Sequence, residues 1–400
     1  MLRKTYNIPN LRFLEFKEEW KKTKLSNLFL IKASGDLKKE YFSEKYSETH
    51  IYPLYGNSVE NQGLLGYYKV PLFKGPAVTV TGRGVNIGTA FYRNCDFSAV
   101  GRLLVFEAKK PNTDYKFMEL LINKLNIFVE STGVPQLTSP IIGGYFIFYP
   151  KLEEQQKIAS FFSLLDQKIE KQQEKIEQLE LFRKGMMQKI FTQETRFKDG
   201  DDGEFPKWEL IPLSELGEFK KSYSFSRALE GEGKYKHIHY GDIHTRYSGF
   251  IGPETEIPSI TVTDSLDVIE DNDLIFADAS EDYKDLGKAV VICGLGDGLV
   301  VSGLHTHRFK PNENVDSRFL MYYTKTKRYE SFIRQQGAGI SVLGISKNNL
   351  SNLLVTLPSL KEQLKIVEYL WKIDIKIKKE KEKLVLLDKL KKGFMQKMFI

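Results

Sequence analysis

A chain of 400 residues with 41% hydrophobic and 12% aromatic content can fill more than one packed core, which excludes a disordered polypeptide. Its formal net charge is +7; it holds no run of eighteen apolar residues, and "MLRKTYNIPN" lacks the apolar centre of a signal peptide, so a cytoplasmic protein without a membrane partner is expected. Cys95 and Cys293 stand alone without CxxC spacing, which argues against a disulfide framework and a thiolate metal site.

The chain opens on "LRFLEFKEEWKKTKLSNL" (Leu11 to Leu28). A mixed region follows, with strand-like "PAVTVTG", the glycine-rich turn "TGRGVNIG", helical "KFMELLINKL", the closing turn "STGVPQL" and strand-like "GGYFIFYP". At Pro150 the pattern changes. A proline followed by carboxylates is a helix start. Apolar residues then recur at steps of four and three through Ile158, Phe162, Leu165, Ile169, Ile176 and Leu179, with Gln172 and Arg183 as polar interruptions. This 3.5-residue period is a coiled-coil seam. About 38 residues at 1.5 Å each predict a helix roughly 57 Å long.

"TRFKDGDDGEFPKWELIPLSEL" (Thr195 to Leu216) then echoes the opening, with Trp208 answering Trp20 and Leu213 answering Leu25. A second mixed region contains "YKHIHYGDIHTRYSG", "NDLIFADASEDYKDLGKAVVI", "GLVVSGLHTHRF" and helical "SRFLMYYTKT", and closes on "GAGISVLGIS". From Pro358 a second seam runs through Ile366, Leu370, Ile373, Ile377, Leu384 and Leu387, interrupted at Glu380 and Lys391.

The two helical blocks are copies. "KGMMQKIF" and "KGFMQKMF" end segments 208 residues apart that share 19 of 42 positions without a gap. The stretches between the repeated parts share almost no sequence. The expected fold is α+β: two globular mixed α/β domains joined by two long antiparallel coiled-coil helices, with internal pseudo-twofold duplication. The boundaries read as 1–150 for the first globular domain and 151–191 for the first helix. A linker and the second domain follow over 192–357, and the second helix over 358–400. Antiparallel pairing sets Arg183 against Glu380 and Gln172 against Lys391, whereas parallel pairing would oppose Arg183 and Lys391.

Catalytic signatures are absent: there is no GxxxxGK[ST] phosphate loop, no HExxH, and no Asn-Pro-Pro-aromatic tetrapeptide of an amino-methyltransferase. "GLGDG" (Gly294 to Gly298) reads as a hairpin turn, because no helix-opening GxGxxG follows a strand there. His237, His239, His244, His305 and His307 fall in the second region and read as hydrogen-bonding imidazoles rather than metal ligands. Lys plus Arg exceed Asp plus Glu by 7 over residues 1–149, and fall short by 7 over 192–357. The basic first domain suits a polyanion; the acidic second suits one only where its positive charge is confined to one face.

The paired "P-x-L-x-EQ" to "KG-x-MQK-x-F" helices, the paired "RF…W" openings and "YGDI" (Tyr240 to Ile243) make the whole chain resemble the DNA-specificity subunit of type I restriction–modification enzymes. The resemblance implies two target-recognition domains, each reading one half of a bipartite, asymmetric site on double-stranded DNA. It implies helices that act as a spacer and dock two methyltransferase subunits, with restriction subunits joining that core. The chain itself would be non-catalytic and hold no cofactor; S-adenosylmethionine and ATP would sit on the partner subunits. A coiled-coil adaptor that never touches DNA, or a self-contained restriction–methylation enzyme, would be the alternatives.

Base edges need Arg, Asn, Gln, carboxylates or small hydroxyls, and phosphates need cations or free amides. In the first domain these requirements select Tyr55, Gly56, Asn57, Arg83 and Asn86. In the second they select Tyr240, Asp242, His244, Arg246 and Tyr247, then Ser280, Glu281 and Lys284. For Gly56 and Asp242, backbone geometry explains the residue at least as well as base contact.

Overall fold

The computed structural model describes residues 7–128, 135–200, 203–296, 298–339 and 342–400. Parts of both closing turns and Asp297 of "GLGDG" lie outside the described residues. Two compact units divide the chain: Met1–Glu174 with Lys381–Ile400, and Lys175–Glu380. Each therefore owns one half of each long helix, Leu152–Phe191 and Leu360–Met398.

In the first unit, strand Lys21–Lys24 pairs antiparallel with Phe146–Tyr149, so the chain's opening lies beside the entrance to the first long helix. A four-stranded sheet follows in the order Phe29–Ala33, Leu104–Ala108, Ala77–Val80, Ala90–Arg93. The strand Ala77–Val80 is buried throughout, as its near-continuous apolar run requires. A second sheet is ordered Phe42–Ser43, Leu64–Tyr68, Tyr52–Tyr55, Ser98–Ala99, with the last two strands parallel. The core gathers Trp20, Phe29, Phe106 and Phe117 with Ile158 and Phe162 of the first long helix and Met398 and Phe399 beside them.

The second unit repeats this plan with unrelated residues. Glu209–Pro212 pairs with Leu354–Leu357. Its main sheet is ordered Gly217–Phe219, Thr306–Pro311, Leu274–Ala277, Ala289–Ile292, Phe250–Ile251. The smaller sheet is ordered Ser259–Ile260, Glu230–Ile238, Val300–Ser302, again with one parallel pair. Within these two sheets the order and direction match the first unit, apart from the added Phe250–Ile251 edge and the missing counterpart of Phe42–Ser43; the second unit also pairs Ala279–Ser280 with Leu343–Gly344. "GLGDG" does not close a hairpin, contrary to the sequence reading. Its flanking strands, Ala289–Ile292 and Val300–Ser302, belong to different sheets, and Asp271 anchors the turn by accepting from the Gly294 and Leu295 N–H groups.

What repeats in sequence is a brace at the root of each long helix. The Glu154 carboxylate is buried, takes two bonds from Arg12 at 2.7 Å each and a third from Trp20 Nε1 at 3.3 Å. Glu362 does the same with Arg196, at 3.2 and 2.7 Å, and with Trp208 Nε1 at 3.0 Å. Each hydrogen-bonded carboxylate holds its arginine's pKa above the usual value. The next residue, Gln155 or Gln363, donates to the Pro150 or Pro358 carbonyl and accepts from the N–H of Asp114 or Asp316. Those two aspartates N-cap the helices Tyr115–Lys124 and Ser317–Tyr323. The "RF…W" and "EQ" motifs are thus two ends of one polar clamp.

The seams are buried or half-buried at every position read from the sequence. Within the first unit, Lys391 meets Asp166 at 2.5 Å and Phe394 packs edge-on against Phe161, so the helix halves run antiparallel. Within the second, Arg183 bonds Asp374 at 2.7 Å and Lys175 bonds Glu380. The expected partners, Arg183 with Glu380 and Gln172 with Lys391, are therefore wrong by about one heptad, roughly 10 Å along the axis. A heptad slip leaves an apolar seam intact, so seam polarity alone fixes register weakly. Arg183 corresponds to Lys391 and Asp374 to Asp166 under the 208-residue repeat, so the two observed bridges are copies of one pair.

Candidate nucleic-acid interface

In each unit three loops come together: one after the smaller sheet's strand Tyr52–Tyr55 or Glu230–Ile238, one after the main-sheet strand Ala77–Val80 or Leu274–Ala277, and one entering Leu104–Ala108 or Thr306–Pro311. Hydrogen bonds join them. In the first unit Asn57 is the tie, since its Oδ1 accepts from Gly82 N–H at 2.7 Å and its Nδ2 donates to the Gly101 carbonyl at 2.5 Å. Both ends of that amide are used internally. Gly56 is buried, and a Cβ there would come within 2.6 Å of Leu65, so this glycine serves close packing. The Tyr55 ring lies under the guanidinium of buried Arg93 at 3.5 Å, and burial raises its phenol pKa.

Two of the selected residues reach solvent. Arg83 is exposed and donates to Gln136 at 2.9 Å. Asn86 is exposed at the tip, while its carbonyl takes bonds from Thr81 and Thr89 that shape the loop. Arg83 shares a concavity of about 370 Å³ with Arg102, Gln136, Thr138 and Ser139. Arg102, which the sequence reading missed, is exposed and has no ion pair among the described residues.

In the second unit "YGDIHT" is a short helix, Tyr240–Thr245. Asp242 is fully buried and bonds Arg227 at 3.0 Å, so it holds the loop rather than facing outward. Tyr247 is also buried, and desolvation followed by the nearby Asp242 charge pushes its pKa up to about 12. His244 is half-buried with its pKa lowered by burial, and its carbonyl accepts from Lys288 at 2.7 Å. Arg246 is exposed between Asp242 at 3.6 Å and Glu256 at 3.8 Å. Ser280 is buried and accepts from Asp282 N–H, while Glu281 and Lys284 are exposed. The half-buried Tyr240 ring packs against His239, His244 and His305 at 4.6–5.5 Å.

The histidines are engaged within the fold. His239 Nδ1 accepts from Gly241 N–H, His307 Nε2 meets the Ile345 carbonyl at 3.0 Å, and His305 Nδ1 lies 3.0 Å from Asp278 Oδ1. Among the described residues no group of three or more His, Cys, Asp or Glu could hold a metal ion.

Positive charge in this acidic region is gathered locally. Lys284, Lys288, Lys325 and Arg183 line one concavity of about 540 Å³ with Tyr247, alongside Asp285 and Glu330; Lys288 pairs with Asp285 and Arg183 with Asp374, so the four cations outnumber the acidic lining by two. The Lys325 side chain is exposed, and its pKa is lowered to about 8, by local desolvation first and by the Arg183 and Lys288 charges, against the Asp374 charge. The run "KTKR" (Lys325 to Arg328) was the available sequence signal.

The structure is a duplicated α+β scaffold that carries two divergent loop clusters. Residues 17–181 and 206–388 each match the type I restriction modification DNA specificity domain. The chain belongs to that family. It is similar to the MjaVIII type I restriction enzyme specificity subunit of Methanocaldococcus jannaschii, 28% identical over 300 residues, covering 70% of this chain and 68% of that protein. A protein named as the MjaX specificity subunit of the same organism is 30% identical over 265 residues, 62% of this chain and 56% of its own length. This chain thus spans little more than half of that relative. The fold is shared with the S subunit of a type I system from M. genitalium, at a TM-score of 0.60 and 16% identity, over 98% of this chain and 99% of that one. A chain solved in a study of type I complex assembly and conformational transition matches at 0.58 and 16%, over 96% and 98%. No helix among the described residues is long and apolar enough to cross a membrane.

Proposed function

We propose that this chain is a non-catalytic DNA reader in a type I restriction–modification complex, each loop cluster recognising one half of a bipartite, asymmetric site in double-stranded DNA. The supporting observation is the contrast within the duplication: strand order and clamps are copied, while the three-loop clusters differ. Selection for two different half-sites on one scaffold produces that contrast. The domains are residues 1–150 and 192–357, and the helices of 151–191 and 358–400 act as the spacer between readers and as the seat for two methyltransferase subunits. Those subunits would supply S-adenosylmethionine and modify adenine; restriction subunits, using ATP, would join them. The gathered cations around Lys325 supply the phosphate attraction that the net acidity of the second region otherwise opposes.

Mapping methylated adenines in a host with and without this chain tests the reading. Methylation at one bipartite motif should appear only with the chain. An unchanged pattern when the chain and its cognate methyltransferase subunit are both present would overturn it.

A further inference from the structure

Two exposed side chains occupy the same place in the two readers, and neither falls in an aligned stretch of sequence. In the first reader, strand Ser98–Ala99 lies parallel to Tyr52–Tyr55, and the chain crosses from it into Leu104–Ala108 through Arg102. In the second, Val300–Ser302 lies parallel to Glu230–Ile238, and the chain crosses into Thr306–Pro311 through His305. Arg102 has φ +70° and His305 has φ +53°. Left-handed backbone favours glycine over residues that carry a Cβ. Arg102 even follows Gly101, itself at φ +74°. Glycine would make both turns more easily, so an arginine and a histidine at matching turns invite a use beyond the turn.

Their surroundings suit a base edge. The Arg102 guanidinium has no hydrogen bond or ion pair among the described residues and lines the concavity with Arg83 and Gln136. Its backbone is held against Gly82, where a Cβ would come within 2.8 Å of the Arg102 carbonyl. His305 is half exposed, with Nδ1 at 3.0 Å from Asp278 and its ring packed edge-on to Tyr240. With Nδ1–H donating to that carboxylate, Nε2 is left as the acceptor of a half-exposed ring.

Resting on the reading of this chain as a DNA-specificity subunit, we propose that Arg102 and His305 are matched specificity-determining residues, one per half-site. Arg102 donates to the O6 and N7 edge of a guanine, and His305 Nε2 accepts from the exocyclic amine of a cytosine or adenine.

The test uses the assembled methyltransferase complex on a duplex library randomised across both half-sites. Arg102→Gly keeps the turn and removes the reader; it should lower discrimination at one position of one half-site by about 5- to 150-fold, the equivalent of 1–3 kcal/mol for a bidentate contact. His305→Gly should relax one position of the other half-site, by a smaller factor because it makes one bond. The undisturbed half-site in each variant controls for assembly of the complex, and an unchanged unfolding midpoint of the variant chain controls for folding of the altered unit. Glycine variants that keep both half-sites intact would show that the two residues only shape turns and would overturn the proposal. So would a uniform loss across all sequences with a salt slope reduced by about one, which marks a phosphate contact. A wild-type complex that methylates without any sequence preference would instead overturn the functional reading itself.

Discussion

The roots of the two long helices and the loop tips of the two units obey different rules. At the roots the same side chains recur: an arginine and a tryptophan close on a buried glutamate, and the glutamine beside it holds the capping aspartate. At the tips only topology recurs. Asn57 ties the loops of the first reader through its side-chain amide, whereas Asp278, His305 and Tyr240 tie those of the second. A buried carboxylate tolerates few substitutes, because removing one partner strands the other's charge. A loop tie can be rebuilt from many residues, and that freedom lets two loop clusters diverge on one frame.

The sharpest way to break this contrast is to attack a root. Glu154→Ala leaves Arg12, whose side chain is only 10% exposed, without its carboxylate, and should cost about 3–5 kcal/mol in denaturant unfolding. Glu362→Ala should act similarly in the second unit, more weakly because Arg196 is 25% exposed and retains bonds to the Phe205 and Pro206 carbonyls. Equal tolerance of alanine at roots and tips would erase the distinction.

Next in size is the helix register. Arg183→Asp sets like charges against Asp374, which also accepts from Tyr322 at 2.7 Å, and should destabilise by about 2 kcal/mol. Adding Asp374→Arg should recover part of that loss, while Glu380→Arg should recover less. The opposite ranking would restore the slipped register.

A tip change should be milder and local. Asn57→Ala removes both loop ties at about 1 kcal/mol each and should blur one half-site only, seen as relaxed methylation specificity.

The smallest effect separates the readers by acid. His239, His244 and His307 have pKa values lowered by burial, all in the second unit. Below pH 6.5 the unfolded chain binds protons there that the folded chain refuses, so stability is fullest above 6.5 and declines as pH falls through it. The first unit has one histidine, the half-buried His50. Unfolding followed by tryptophan fluorescence, in single-tryptophan variants that keep Trp20 or Trp208, should show the second unit weakening first between pH 7.5 and 5.5.

The helices, their seams and the duplication were legible in the sequence because period and identity are local signals. The clamp was half visible: the motifs stood out, but that Arg12 meets Glu154 across 142 residues is a matter of tertiary folding. Helix register was not legible, since heptads repeat, and the globular ends set what the seam leaves open. Among the site residues, Arg83 and Arg246 reach solvent as their chemistry suggests, whereas Asp242 and Tyr247 are drawn inward by burial that composition does not encode. Arg102 escaped notice because its equivalence to His305 exists only in the strand order.

Replacing residues 30–149 with the first variable region of another family member, and mapping methylated adenines, tests the central claim most directly. Two independent readers on a shared frame predict that one half of the motif changes while the other half and the spacing persist. A motif altered in both halves would show that the two loop clusters do not read separately.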